Sequence, residues 1–202
     1  MKFARRIPQG DKNISEELLK DGWKRLKEPK SLAIAVLAAV PIMIICGFIS
    51  NFIVTRFYNP IGKIIEERSF SFTISIFDII YFILAMLVLV IIHELLHIMF
   101  MPNFARSDKT CFGITLLGGF AYTSEKISRS RFIVISIMPV VIISIAFPVI
   151  LGVFNGFNGL IAFFIILNAA SSAVDILNLI LILFQVPKNG YVINNGAETY
   201  FK

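Results

Sequence analysis

Four long apolar stretches dominate the chain, at residues 32–54, 73–101, 132–154 and 158–184, with polar and charged segments between them. Each supplies the ~20 residues that an α-helix needs to cross the hydrocarbon core of a bilayer. Within the third, Pro139 and Pro148 predict kinks. Upstream, Ile14, Leu18, Leu19, Trp23 and Leu26 recur at helical spacing among lysines and acids, which predicts an amphipathic helix over residues 14–29. Asn13 is placed to cap it, with Glu16 at the third helical position. Trp23 favours laying this helix on the membrane surface.

Residues 102–131 break the helical pattern. Thr110 to Thr115 and Phe120 to Thr123 are short β-prone pieces around Gly118-Gly119, which predicts a hairpin. The expected fold is therefore all-α integral membrane: four transmembrane helices, an N-terminal amphipathic helix and a short β-hairpin-like cytoplasmic loop. The expected division is a cytoplasmic N-terminal segment at 1–31, a four-helix membrane domain at 32–184 and a cytoplasmic C-terminal tail at 185–202.

Composition agrees with membrane burial. The chain of 202 residues is 57% hydrophobic and only 16% charged, whereas soluble domains carry about 25% charged residues. A soluble domain of this length has too little interior for so much apolar surface, so lipid must cover part of it. The net charge of +6 does not point to nucleic acid, because the basic residues sit between the apolar runs, where they set topology. Lysine plus arginine number nine in residues 1–31, three in 55–72, five in 102–131, none in 155–157 and two in 185–202. The positive-inside rule then places both termini and the 102–131 loop in the cytoplasm of a multi-pass cell-membrane protein. The first thirty residues are polar, so no cleavable signal peptide is expected, and the first apolar run is expected to remain as an anchor. Two cysteines, Cys46 and Cys111, are too few for a disulfide framework or a cysteine-rich zinc site.

The candidate chemistry lies in the second apolar run, which contains His93-Glu94-Leu95-Leu96-His97, an HExxH motif holding both histidines of the chain. Spacing of four puts the two imidazoles one helical turn apart on one face, within reach of one metal ion, with Glu94 beside them to hold an attacking water. Ionisable groups inside a span are costly and usually functional. Deep in the four runs only two carboxylates remain, Glu94 and Asp175, which makes Asp175 the leading candidate for a third ligand; a packing or proton-relay carboxylate is the alternative. Asn168, Ser171, Ser172, Asp175 and Asn178 share a helical face in the fourth run. The serines suit helix packing, while Asn168 is divided between packing and holding substrate or an oxyanion. Tyr122 and Arg131 are further oxyanion candidates.

The sequence resembles a bacterial family of zincin (HExxH) membrane metallopeptidases, small four-span proteins distantly similar to site-2 proteases. The resemblance is carried by Glu17-Leu18-Leu19-Lys20-Asp21-Gly22-Trp23, Leu26-Lys27-Glu28-Pro29, His93 to His97, Gly119-Phe120-Ala121-Tyr122, Ile127 to Phe132 and Ser172-Ala173-Val174-Asp175-Ile176. It implies His93, His97 and Asp175 as zinc ligands and Glu94 as catalytic base. Site-2 proteases carry an asparagine and a proline ahead of a terminal Asp-Gly; here Asn168 stands seven residues before Asp175, and Ile176 follows the acid.

Taken together, the residues predict a zinc-dependent hydrolase that cleaves peptide bonds at or within the cytoplasmic side of the bilayer. Its expected partners are a peptide or membrane-protein substrate and the lipid bilayer, with no nucleic acid. The 112–122 hairpin would offer a strand edge to an extended substrate. Two other readings are a non-enzymatic membrane metal-binding or cation transport protein, and a degenerate peptidase serving as a scaffold.

Overall fold

The computed structural model describes residues 2–59, 62, 74–115 and 118–202. The start of the second predicted span at residue 73, most of segment 55–72 and residues 116–117 lie outside the described residues. The N-terminal segment forms strand β1 (Lys2–Phe3), helix α1 (Lys12–Lys20) and strand β2 (Lys24–Arg25). The predicted helix over 14–29 is therefore shorter and starts earlier. Asp11, not Asn13, caps it, accepting from the Asn13 amide at 2.8 Å. Gly22 ends it with φ +82°, and the amides of Gly22 and Trp23 bond back to Leu19 and Leu18, a Schellman stop that releases the chain into β2. Trp23 is buried, with the Lys126 ammonium 5.8 Å from its ring centroid, and does not lie on an open amphipathic face.

Four helices among the described residues are long and apolar enough to cross a membrane. The first is α2 (Leu32–Thr55), capped by Ser31, and the second is α3 (Ile76–Phe100). Asp78, the charge at the start of the second run, forms a capping box with Ser75, so it stabilises the helix start. At the other end of α3, Arg131 donates from Nε to the Phe100 carbonyl at 2.7 Å and from Nη2 to the Met101 carbonyl, a cation on a helix C-terminus.

The third span is composite. Helix α4 (Arg129–Pro139) passes into a π-helical turn (Val140–Ala146) and then α5 (Phe147–Val153). The predicted prolines bracket the irregularity, because neither Pro139 nor Pro148 has an amide to give the helical ladder. The fourth span divides into α6 (Gly159–Ser171) and α7 (Ala173–Gln185). At the break Ser172 has ψ 0°, and the hydroxyls of Ser171 and Ser172 both donate to the Asn168 carbonyl.

The fold is not all-α. Strands β3 (Thr110–Thr115) and β4 (Gly118–Thr123) form the predicted hairpin, β5 (Ile127–Ser128) leads into α4, and β6 (Tyr191–Asn195) and β7 (Glu198–Phe201) form a second hairpin. The segment expected to be a simple C-terminal tail is thus folded. One sheet has the order β1-β3-β4 and the other β2-β7-β6-β5. Tyr122 links them, its hydroxyl donating to the Asn194 carbonyl and accepting from the Gly196 amide. Burial raises the Tyr122 phenol above its ordinary pKa, which keeps the hydroxyl proton in place for that bond. The sheets are fastened to the ends of the helices: Leu26, Ile182, Val186 and Val192 form one buried cluster, and Ile98, Met101, Ile127 and Ile135 another.

Candidate metal centre

The sequence-predicted ligands converge. His93 and His97 stand one turn apart on α3, and Asp175 lies in the first turn of α7. His93 Nε2 and His97 Nε2 are 3.1 Å apart, and Asp175 Oδ2 lies 3.3 Å from the first and 3.4 Å from the second. A tetrahedral zinc ion with ligands at 2.0–2.1 Å would separate those ligands by roughly 3.3–3.4 Å. The triangle therefore has the dimensions of one face of such a site.

Each imidazole is held from behind. His97 Nδ1 donates to the Ile135 carbonyl at 2.8 Å, and His93 Nδ1 donates to Asn168 Oδ1 at 2.9 Å. Both bonds fix the tautomer that carries its proton on Nδ1, leaving the Nε2 lone pairs to face each other across the triangle. Two neutral rings in this state have no proton to share between their Nε2 atoms. A metal ion held by the three ligand atoms would make this approach favourable, and two imidazoles with one carboxylate suit zinc.

The carbonyl used by His97 is available for a covalent reason. In a regular helix the Ile135 carbonyl accepts from the amide four residues on, but that residue is Pro139. Asn168 is as firmly placed. It is almost fully buried, and its amide nitrogen donates to the Pro139 carbonyl at 3.3 Å and to Ser144 Oγ at 2.9 Å. Because a carbonyl only accepts, this pairing assigns the amide oxygen to His93. The π-helical turn supplies Ser144 for the arrangement, and Ser144 itself donates to the Ile165 carbonyl.

Glu94 is buried between α3 and the β3–β4 hairpin. A Cβ on Gly119 would lie 2.6 Å from Glu94 Oε1, so only glycine lets the strand come this close. A cavity of about 260 Å³ opens at this point, with Glu94, His97, Asp175, Asn178, Gly119 and Glu28 among its walls. Glu28 and its partner Thr199 come from the two ends of the chain, so the outer wall is built by the small sheets. Charge and periodicity gave no signal for Glu28, because its place depends on the pairing of β2 with β7.

Three oxyanion candidates from the sequence are otherwise engaged. Asn168 uses both amide hydrogens on Pro139 and Ser144, Tyr122 donates to Asn194, and Arg131 serves the end of α3.

No match was found among curated proteins or among solved structures. A family model described as "putative zincin peptidase" matches residues 86–191, which contain all three ligand candidates, Glu94 and the β3–β4 hairpin. Since that match spans just over half of the 202 residues, the chain belongs to the putative zincin peptidase family.

Proposed function

We propose that this protein is a zinc-dependent membrane peptidase, similar in its chemistry to site-2 proteases, that hydrolyses peptide bonds at or within the cytoplasmic side of the bilayer. The observation that carries the reading is the triangle of His93 Nε2, His97 Nε2 and Asp175 Oδ2, whose sides of 3.1, 3.3 and 3.4 Å suit one metal ion. His93 and His97 give their Nε2 lone pairs, and Asp175 gives one carboxylate oxygen. When bound, zinc lowers the pKa of a water molecule and polarises the scissile carbonyl.

Glu94 takes the proton from the attacking water and delivers it to the leaving amine. The two proton transfers let water add across the peptide bond, yielding a carboxylate and an amine. The bond attacked must be extended, because a helical peptide carbonyl is shielded. Strand β4 lies at the edge of its sheet, since β1 covers the opposite edge at β3. An extended substrate pairing along β4 would bring its carbonyl past Glu94. The excess of lysine and arginine before α2 and between α3 and α4 supports a topology with both termini and the cavity wall in the cytoplasm.

The test compares membranes carrying wild-type protein with membranes carrying Glu94→Gln, by labelling and sequencing newly formed peptide amino termini. New termini that appear with wild type and not with the variant are expected. Identical sets of termini in the two membranes would overturn the reading.

A further inference from the structure

Hydrolysis by water needs a donor for the oxygen that gains charge. As water oxygen bonds to the carbonyl carbon, the π pair moves onto the carbonyl oxygen. It returns when the C–N bond breaks and the amine leaves with the proton held by Glu94. A donor fixed beside that oxygen stabilises the charge as it develops. The donors named from the sequence are engaged elsewhere, and other polar side chains line the cavity.

The remaining polar walls narrow the choice. Asn194 donates to the Thr123 carbonyl at 3.1 Å, and its side-chain oxygen accepts from Thr199. Thr199 donates its hydroxyl to Glu28, and Thr123, fully buried, accepts from the Thr110 hydroxyl and the Glu125 amide. Asn178 stands apart. Its side chain lines the cavity with Glu94, His97 and Asp175, and it has no hydrogen-bond partner among the described residues. It lies three residues after Asp175 on α7, so the two side chains emerge from one face, with Cβ atoms about 5–6 Å apart. Glu94 enters the cavity from α3, against β4, while Asn178 enters from α7. Ser136 also lines the cavity, from α4, but offers a single hydroxyl on a shorter reach.

We propose that Asn178 is a catalytic residue, its free side-chain amide donating to the carbonyl oxygen of the substrate as that oxygen becomes an oxyanion. The inference rests on the metallopeptidase reading. It also assigns a different duty to each asparagine of the fourth span: Asn168 orients His93, and Asn178 meets the substrate.

The test uses the full-length chain, purified in detergent and loaded with zinc, in wild-type, Asn178→Ala and Asn178→Leu forms. Two probes are titrated calorimetrically: an N-phosphorylated dipeptide, whose tetrahedral oxygens stand in for the oxyanion, and a simple hydroxamate that needs only the metal. Zinc per chain is measured alongside. The expected result is a roughly ten- to hundredfold weaker grip on the phosphorylated dipeptide in both variants, with hydroxamate affinity within about twofold of wild type. Zinc content is expected to stay unchanged. Equal affinity for the phosphorylated dipeptide in all three forms overturns the role of Asn178 and leaves the metallopeptidase reading standing. Loss of zinc in the variants also overturns it, because Asn178 would then serve only to hold Asp175. A zinc-loaded wild type that binds neither probe overturns the metallopeptidase reading, and the inference falls with it.

Discussion

Pro139 and His97 are joined through one carbonyl group. Pro139 has no amide to offer the Ile135 oxygen, and His97 Nδ1 donates to it instead at 2.8 Å. A break in the ladder of one helix is thus used to fix the tautomer of a candidate ligand on another.

Replacing Pro139 tests this link. Pro139→Ala restores an amide that competes for the Ile135 carbonyl and regularises α4. Loss of such a supporting bond typically costs 10–100-fold in metal affinity, and zinc affinity measured by chelator competition is expected to fall in that range. An unchanged affinity would show that His97 does not depend on this carbonyl.

Asn168 has more to lose. Asn168→Leu removes the acceptor for His93 and leaves Ser144 Oγ and the Pro139 carbonyl without their donor. A buried polar group left unpaired costs about 1–3 kcal/mol. The variant is expected to unfold at lower temperature and to bind zinc more weakly, both measurable on the detergent-purified protein.

Gly119→Ala acts on Glu94 and not on the ligands. The added methyl would meet Glu94 Oε1 at 2.6 Å, so either the carboxylate or strand β4 must move. Zinc content is expected to remain near wild type, while the yield of new peptide termini falls about 100-fold or more, as misplacing a reacting group does. Wild-type turnover in this variant would remove β4 from the substrate path.

Glu28 carries a pH dependence. Burial raises its carboxyl above the ordinary value, against the two Thr199 hydrogen bonds that lower it. The folded protein therefore holds this proton to higher pH than the unfolded chain does. The contribution to stability is full at acidic pH and is lost as pH rises through the raised value. Glu28→Gln, which stays neutral, is expected to melt higher than wild type at neutral pH, with the difference shrinking as pH falls toward the ordinary carboxylate range. A melting difference independent of pH would contradict this.

Much of the site was legible because membrane burial leaves few ionisable residues to choose among. His93, His97 and Asp175 could be picked out once the apolar runs were drawn, and the structure brings them together. The supports were harder to read. That Asn168 faces His93, with its donors turned to Pro139 and Ser144, depends on a π-helical turn and on the Ser172 break, neither of which has a periodic signature. The C-terminal sheet was readable in principle: Asn195-Gly196 between Tyr191-Val192-Ile193 and Thr199-Tyr200-Phe201 is a hairpin signal. Its pairing with β2, across most of the chain, is not local information. The amphipathic helix predicted over residues 14–29 forms only over Lys12–Lys20, because Trp23 and Leu26 are apolar for the sake of the sheet and its core.

The most direct measurement is the metal content of the detergent-purified protein, in wild-type, Glu94→Gln and Asp175→Ala forms. About one zinc per chain is expected in wild type and Glu94→Gln, with much less in Asp175→Ala. Wild-type protein that retains no metal after zinc is supplied, or Asp175→Ala protein that retains it fully, would contradict a centre built from His93, His97 and Asp175.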